Sequence, residues 1–191
     1  MGSDDLLRLP NGLPEPQDDG AASHLPGSAV PSIALPSTGG GTTSLADGGP
    51  TLVVGFPWAG RPGEPLPDEG WDAIPGARGC TAEVCGFRDQ HDALGGLRVL
   101  GVSAQTTERQ REVVERLGLP FPLLSDEDLR LAGAMGLPTF AAGGRTLLRR
   151  ITLLIRDGRV ERVWYPVFPP HLHAEKVVAE LREAGWSHLT R

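Results

Sequence analysis

The residues with the clearest capacity for covalent chemistry are two cysteines, Cys80 and Cys85, and the sequence contains no others. A deprotonated cysteine is a nucleophile, a metal ligand and one half of a disulfide bond. In a reducing compartment, a close pair of this kind is inert, binds a metal ion or cycles between thiol and disulfide. The residues around the pair decide among these three roles.

Cys80 lies where a long loop is predicted to meet the start of a helix. Unpaired N–H groups and the positive end of the helix dipole favour a thiolate at such a position. Arg78 and Arg88 add positive charge nearby, and Gly79 lets the backbone approach a small substrate. The position therefore suits a reactive cysteine, although a buried structural cysteine is equally compatible with it.

The spacing of the two cysteines argues against a permanent disulfide, and the lack of further ligands argues against a zinc site. Five residues along a regular helix place two Cα atoms roughly 8 to 9 Å apart, whereas a disulfide needs less than about 7 Å. A disulfide would therefore form only as a switch, with the first helical turns unwinding. Structural zinc prefers two to four residues between the members of a ligand pair and needs two further ligands, and no spacing ties His171 or His173 to the cysteines. We expect no metal and no cofactor.

The rest of the chain alternates short apolar strands with amphipathic helices. Helices are predicted at 80–94, 107–117, 127–135 and 174–184, and strands at 51–56, 97–102, 121–124, 147–155 and 160–167. Asp157-Gly158 is a strong hairpin signal between the last two strands, and a smaller hairpin is predicted around 38–41. This alternation predicts an α/β fold of the thioredoxin-like type, with a central mixed β-sheet flanked by helices and an N-terminal hairpin extension.

Length and composition limit the classes of function. The 191 residues suffice for one domain with a sizeable core. A formal net charge of -6 argues against nucleic acid as the main partner. No apolar run approaches the ~20 residues of a membrane helix, so no membrane partner is expected. Residues 1–5 lack the basic and apolar regions of a signal peptide, so we expect a cytoplasmic location.

Two segments fall outside the alternating pattern. Residues 1–30 are rich in Pro, Gly, Asp and Ser and predict an N-terminal arm or loop, which leaves 31–191 as the folded domain. Residues 58–79 form a second, Pro- and Gly-rich loop that leads directly to Cys80. Ordered loops of this length usually serve as lids or binding loops.

The segment at 79–89, GCTAEVCGFRD, resembles the active-site helix of peroxiredoxins, and is most similar to the PrxQ or bacterioferritin comigratory protein branch. VLGVS at 99–103 and LPFPLLSD at 119–126 resemble further stretches of that family. RITLLI at 150–155, with Asp-Gly soon after it, resembles the late strand of the family. The resemblance runs in the correct order from about residue 31 to residue 185.

This resemblance implies a thiol-dependent peroxidase that reduces hydrogen peroxide or organic hydroperoxides. It implies that Cys80 is the peroxidatic cysteine, that Cys85 is the resolving cysteine of an intramolecular disulfide, and that Arg150 lies beside the thiolate. Arg149 is the adjacent competitor, but strand alternation points it to the other face. Thioredoxin or a similar dithiol is the implied reductant. A monomer is the implied state, with a dimer as the alternative.

The sequence departs from the family pattern just before the cysteine. Members usually carry Thr or Ser three residues before the peroxidatic cysteine and Pro seven residues before it, where this chain has Ala77 and Ala73. The stretch from Trp58 to about residue 75 resembles an insertion. We expect Trp58 and Trp71 to be packing aromatics, with the binding of bulky hydroperoxides or of a partner as the alternative.

The missing hydroxyl at Ala77 leaves a second class of function open. That alternative is a redox sensor, or a thiol–disulfide exchange protein, with the same fold and weak peroxidase activity. Exchange enzymes of the thioredoxin type carry two residues between their cysteines, whereas four residues separate Cys80 from Cys85. The spacing therefore disfavours a general disulfide oxidoreductase.

Overall fold

The structure is a computed structural model that describes residues 8–186. Residues 1–7 of the predicted arm and residues 187–191 lie outside the described range. The strands within it are β1 (Ala34–Pro36), β2 (Thr42–Ser44), β3 (Thr51–Gly55), β4 (Arg98–Ser103), β5 (Leu123–Ser125), β6 (Thr139–Ala142), β7 (Arg145–Leu148), β8 (Ile151–Arg156) and β9 (Arg159–Trp164). The α-helices within it are α1 (Cys80–Asp89), α2 (Thr107–Leu117), α3 (Arg130–Met135) and α4 (His173–Glu183).

Five strands form one central sheet in the order β5-β4-β3-β8-β9. β3, β4 and β5 are parallel, because a helix or loop crossover returns the chain to the same edge before each new strand. β8 and β9 run antiparallel to their neighbours, and Asp157-Gly158 turns the chain between them with positive φ at both residues. The predicted mixed sheet and its late hairpin are confirmed.

Helices cover both faces of this sheet. On one face, the core joins Leu52 and Val54 of β3 to apolar residues of α1, α2 and α4. On the other face, Val53 of β3 packs with α3 and with the hairpin of β1 and β2. Alternate residues of β3 thus enter two different cores, which is why Leu52, Val53 and Val54 are all apolar. No helix among residues 8–186 has the length and apolar character needed to span a membrane.

The N-terminal arm packs along the domain over its described part. Leu25 is fully buried in the core on the α3 side of the sheet. The Val30 N–H donates to the Gly158 carbonyl at 2.8 Å, and this hydrogen bond ties the arm to the β8–β9 turn. Nearer its start, Leu9 packs close to Gly79, immediately before α1. The arm therefore connects the far edge of the sheet with the region of the cysteines.

The prediction of one strand at 147–155 was wrong, because the chain forms two strands there. β7 ends at Leu148 and β8 begins at Ile151. The Arg149 N–H bonds to the Pro138 carbonyl at 2.8 Å, and β7 pairs with β6, which the sequence analysis did not predict. The break leaves Arg150 outside both strands. The direction of its side chain is therefore not set by the alternation of side chains along a continuous strand.

Two predicted helices are shorter in the structure. The helix predicted at 80–94 ends at Asp89 and is followed by a 3-10 turn, before the Gly95-Gly96 pair. The helix predicted at 127–135 begins at Arg130, because Leu129 has a left-handed backbone with φ of 54°. The Asp126 carboxylate accepts the N–H groups of Leu131 and Ala132 at 3.0 and 2.8 Å, which satisfies donors at that helix start.

Candidate active site

Cys80 is the first residue of α1, as the sequence predicted, and Gly79 is the residue that makes this junction possible. Gly79 has a φ of 102°, a conformation that residues with a side chain rarely adopt. A Cβ atom there would lie 2.5 Å from Pro170 and 2.8 Å from Leu9. Gly79 is therefore required by its own backbone and by close packing, rather than by approach of a substrate.

Cys80 is only 2% exposed, and three groups surround its sulfur atom. Arg150 donates from Nη2 to Sγ at 3.3 Å, and the backbone N–H of Trp58 donates to Sγ at 3.4 Å. The thiol itself lies 3.6 Å from the carbonyl oxygen of Ala77, which accepts its hydrogen. One cationic donor and one neutral donor thus converge on the sulfur from different elements.

Arg150 is held in place by further acceptors. Its Nη2 lies within hydrogen-bonding distance of the carbonyl oxygens of Gly76, Ala77 and Arg78, at 3.3, 3.4 and 3.1 Å. Its Nη1 donates to the carboxylate of Glu83, and both side chains are completely buried. A guanidinium bound on two sides has little freedom to rotate, so its donor stays aimed at the sulfur.

The neighbouring Arg149 points elsewhere, as predicted, although for a different reason. Its guanidinium lies 5.7 Å from the centre of the Phe140 ring. The two arginines diverge at the break between β7 and β8, not through alternation along one strand. Arg88 contacts Asp89 and the carbonyl of Leu117, so its charge lies on the side of α1 that carries Cys85.

Glu83 is the component of the site that sequence reasoning missed. It follows Cys80 by three residues on α1, so both side chains lie on one face of the helix. Burial raises the pKa of the Glu83 carboxyl to about 7, although the Arg150 charge acts against this. Burial lowers the pKa of Arg150. The charges of Cys80 and Glu83 outweigh this effect and hold that pKa above its ordinary value. The available signal for Glu83 was its place in the helix, since the residues from Cys80 to Cys85 are all buried.

Opposing influences act on the ionisation of Cys80. Burial is the largest, and it raises the pKa of the Cys80 thiol. The Arg150 charge and the Trp58 N–H lower that pKa, while the Glu83 carboxylate raises it. Sequence reasoning foresaw positive potential at the helix start but not the extent of burial. The two donors at the sulfur therefore favour the thiolate and oppose the effect of burial.

Cys85 is a second free, buried thiol on the same helix. Burial raises the pKa of the Cys85 thiol, and the nearby Arg88 partly offsets this. Because α1 is helical from Cys80 to Asp89, the two thiols keep the helical separation of roughly 8 to 9 Å between Cα atoms. The structure is thus the dithiol form, and a bond between the cysteines requires α1 to unwind at its start.

The loop at 58–79 closes the site with aromatic packing. Trp71 is buried against Ala77 and Leu147, and its ring centroid lies 6.0 Å from that of Phe140. The guanidinium groups of Arg109 and Arg145 lie 5.0 and 5.6 Å from the centre of the Trp58 ring. Both tryptophans are packing residues in this structure. Ala77 is fully buried, and its carbonyl oxygen accepts from the Cys80 thiol.

No group of three or more His, Cys, Asp or Glu side chains suited to a metal ion occurs between residues 8 and 186. His173, one of the histidines considered as a ligand, is buried at the start of α4. Its Nε2 lies 2.9 Å from Thr152 Oγ1, and its ring contacts Phe87 edge to face. The side chain therefore has a packing and hydrogen-bonding role beneath the active-site helix.

The buried His173 predicts a loss of stability in acid. Burial lowers its pKa from 6.5 to about 3, so below pH 6.5 the unfolded chain binds a proton that the folded chain does not. Stability contributed by neutral His173 is thus lost as pH falls from 6.5 towards 3. Relative to His173→Gln, the wild-type chain should lose about 2 to 3 kcal/mol between pH 7 and pH 4.5. Urea denaturation of both proteins at the two pH values measures this difference, and parallel pH dependences would contradict it.

Comparison with known proteins agrees with this geometry. The Redoxin family model matches residues 25–181. Peroxiredoxin Bcp of Escherichia coli K12 is 32% identical over 165 residues, which cover 82% of this chain and 95% of the relative. The chloroplastic peroxiredoxin Q of Gentiana triflora is 27% identical over 189 residues, which cover 94% of this chain and 79% of the relative.

Solved structures give the same result. Peroxidoxin BcpB of Mycobacterium tuberculosis is similar with a TM-score of 0.65 and 27% identity, covering 84% of this chain and 98% of that one. The bacterioferritin comigratory protein of Xanthomonas campestris, in structures described as giving insight into alkyl peroxide reduction, has a TM-score of 0.63 and 25% identity, with 84% and 98% coverage. With its thioredoxin-like fold and its two free thiols on one helix, the chain therefore belongs to the peroxiredoxins, the family of thiol-dependent peroxidases, and resembles their PrxQ and Bcp members.

Proposed function

We propose that Cys80 is the peroxidatic cysteine of this peroxidase, that Cys85 is its resolving cysteine, and that Arg150 stabilises the charge that develops during peroxide cleavage. The convergence of Arg150 Nη2 and the Trp58 N–H on the Cys80 sulfur carries this proposal. The buried Glu83 holds the arginine from its other side. No other thiol among residues 8–186 has such donors around it.

In the first step, the Cys80 thiolate attacks one oxygen of the peroxide. The S–O bond forms as the O–O bond breaks, so the sulfur is oxidised to sulfenic acid and the peroxide is reduced. The leaving oxygen departs with the electron pair of the O–O bond and takes a proton, giving water or an alcohol. Because that oxygen becomes negative in the transition state, the fixed guanidinium of Arg150 lowers the barrier.

In the second step, the Cys85 thiolate attacks the sulfenic sulfur of Cys80. The S–S bond forms, and the sulfenic oxygen leaves as water after taking a proton. The step requires the start of α1 to unwind, because the two cysteines lie too far apart in the intact helix. Oxidation is thereby coupled to a local change of structure.

A dithiol then restores both thiols by exchange through a mixed disulfide. Peroxiredoxins act on peroxides and are reduced by thioredoxin-like partners, and we propose thioredoxin or a similar dithiol as the reductant here. Because recycling needs a dithiol reductant, we propose a reducing compartment, the cytoplasm. We also propose that the chain acts as a monomer, since both cysteines and the arginine belong to one chain, and that 31–191 is the catalytic domain preceded by the arm at 1–30.

A coupled assay tests this function. The reduced protein, a thioredoxin, its reductase and NADPH are mixed with hydrogen peroxide or an organic hydroperoxide, and NADPH consumption is followed. We expect turnover that depends on all components and an oxidised form with one disulfide per chain. The work on the Xanthomonas campestris relative concerns alkyl peroxides, so we propose both classes of peroxide as substrates. If the protein turns over neither hydrogen peroxide nor an organic hydroperoxide, the proposal is contradicted.

Replacing Cys85 with serine should separate the two chemical steps. Cys85→Ser keeps every group that contacts the Cys80 sulfur, so we expect the first oxidation to proceed at the wild-type rate. The sulfenic acid then has no intramolecular partner, and excess peroxide should carry it on to sulfinic acid. Intact-mass measurement should find added oxygen in the variant, where the wild type loses two hydrogens. Normal cycling of this variant with thioredoxin would exclude Cys85 as the resolving residue.

A further inference from the structure

The Trp58 N–H that contacts Cys80 belongs to a segment that strand pairing no longer holds. The Phe56 N–H still bonds to the Val102 carbonyl at 3.1 Å, just past the end of β3. Pro57 follows and has no N–H to offer. The backbone at Trp58 must therefore be oriented by something other than the sheet if its N–H is to stay aimed at the sulfur.

The side chain of Gln105 supplies this support. Its Oε1 accepts the N–H of Ala59 at 2.9 Å, and its Nε2 donates to the carbonyl of the same residue at 3.1 Å. A primary amide offers one acceptor and donors in one plane, as a peptide group does. Gln105 thus pairs with both backbone groups of Ala59 in the way that a neighbouring strand would, one residue beyond Trp58.

Gln105 is itself firmly attached to the sheet. It follows β4 by two residues, and its side chain is 1% exposed. Its N–H lies 3.4 Å from Ser103 Oγ, and its carbonyl accepts the hydroxyl of Ser125, at the end of β5, at 2.8 Å. A continuous set of contacts therefore runs from the ends of β4 and β5 through Gln105 and Ala59 to the Trp58 N–H.

We propose that Gln105 is a positioning residue of the active site, which fixes the Trp58 N–H on the Cys80 sulfur and thereby stabilises the thiolate. The Trp58 ring, which the guanidinium groups of Arg109 and Arg145 contact, adds a side-chain restraint on the same residue. The consequence for catalysis rests on the proposed peroxidase function. The effect on the ionisation of Cys80 does not, and the two can be measured separately.

The test uses Gln105→Met in a Cys85→Ser background, so that Cys80 is the single thiol. Methionine preserves the size of the side chain but removes both bonds to Ala59. Ultraviolet absorbance of the thiolate gives the pKa of Cys80. We expect that pKa to rise, and the rate of oxidation by hydrogen peroxide at neutral pH to fall by about tenfold, the effect of one lost hydrogen bond. Arg150 and Glu83, the charged groups nearest the sulfur, are unchanged.

Gln110→Met is the matched control. Gln110 is equally buried, on α2, and donates to Ser103 Oγ at 3.0 Å and to the Leu124 carbonyl at 2.8 Å, with no bond to Ala59. Gln110 reaches Gln105 only through the shared Ser103 Oγ, so its loss should lower stability and raise the pKa of Cys80 clearly less than Gln105→Met does. An unchanged Cys80 pKa in Gln105→Met, or an equal rise in Gln110→Met, would overturn the proposal.

A second measurement needs no change at Gln105. In NMR spectra of the Cys85→Ser protein, the Trp58 amide signal should shift as Cys80 ionises. The Ala59 amide should be protected from hydrogen exchange to the same degree as the amides of β3. Exchange of Ala59 at the rate of an exposed loop would overturn the proposal even if Gln105→Met does not fold. If the protein reacts with peroxide no faster than free cysteine, the peroxidase function fails, while these measurements still decide the role of Gln105.

Discussion

Cys80→Ser is expected to abolish peroxide turnover, with kcat/KM reduced by about a thousandfold or more. A serine hydroxyl is not ionised near neutral pH, and it cannot be oxidised as sulfur can, so neither Arg150 nor the Trp58 N–H can rescue it. The smaller oxygen fits the buried site without steric conflict, and we expect the variant to fold. The coupled assay with thioredoxin and NADPH measures the loss.

The Cys85→Ser protein is the matched control for this result, because it lacks one thiol from the same helix. It should still consume one equivalent of peroxide in a single turnover at the wild-type rate, whereas Cys80→Ser should consume none. Turnover retained in Cys80→Ser would show that another group carries out the reaction, and the assignment of the peroxidatic cysteine would fall.

Arg150→Met is expected to have the second-largest effect, about a hundredfold to a thousandfold on the rate of Cys80 oxidation. The change removes the cationic donor 3.3 Å from the sulfur. It also leaves Glu83 buried without its partner, which typically costs about 3 to 5 kcal/mol when one member of a buried ion pair is lost. Stopped-flow oxidation and urea denaturation measure the two consequences.

A double variant separates these two effects. In Arg150→Met with Glu83→Gln, no charge is left unpaired, so most of the lost stability should return while the oxidation rate stays low. Arg149→Met is the control for removing a positive charge nearby. Its guanidinium lies against Phe140 and not against the sulfur, so a change of only a few fold is expected. A double variant with the wild-type rate would reduce Arg150 to a structural residue.

The parts of the site that the sequence predicted are those encoded by local signals. A glycine before a helical segment with two cysteines located Cys80 at a loop–helix junction, and the structure confirms that position. The hydrophobic alternation predicted the mixed sheet, and the Asp157-Gly158 pair predicted its late hairpin. Arg150 came from resemblance to a family segment, and its contact with the sulfur agrees with that role.

The parts that were missed depend on long-range contacts. β6 exists because it pairs with β7, and the same pairing accompanies the break before Arg150. Segments as short as β6 and β7 show no periodic pattern in the sequence. The burial of Glu83 depends on an arginine 67 residues away in the chain. Gln105 acts on Ala59 across 46 residues. In each case, the residue type was visible in the sequence but its partner was not.

At Ala77 the chain departs from the family pattern, and backbone groups contact the Cys80 sulfur. The usual hydroxyl is absent, yet the Ala77 carbonyl accepts from both the Cys80 thiol and Arg150. The Trp58 N–H brings a further donor from the neighbouring loop. Besides the Arg150 side chain, the sulfur thus contacts backbone groups, of which the Trp58 N–H is the one that Gln105 is proposed to position.

The central claim is that this pocket activates a buried thiol towards peroxide. Its most direct test is the second-order rate constant for oxidation of Cys80 by hydrogen peroxide and by an organic hydroperoxide, in the reduced Cys85→Ser protein, compared with free cysteine. We predict a rate at least about a thousandfold above that of free cysteine for one of the two peroxides, as expected from fixed donors in a site closed to water. A rate close to that of free cysteine for both would contradict the account and favour a redox-sensing role.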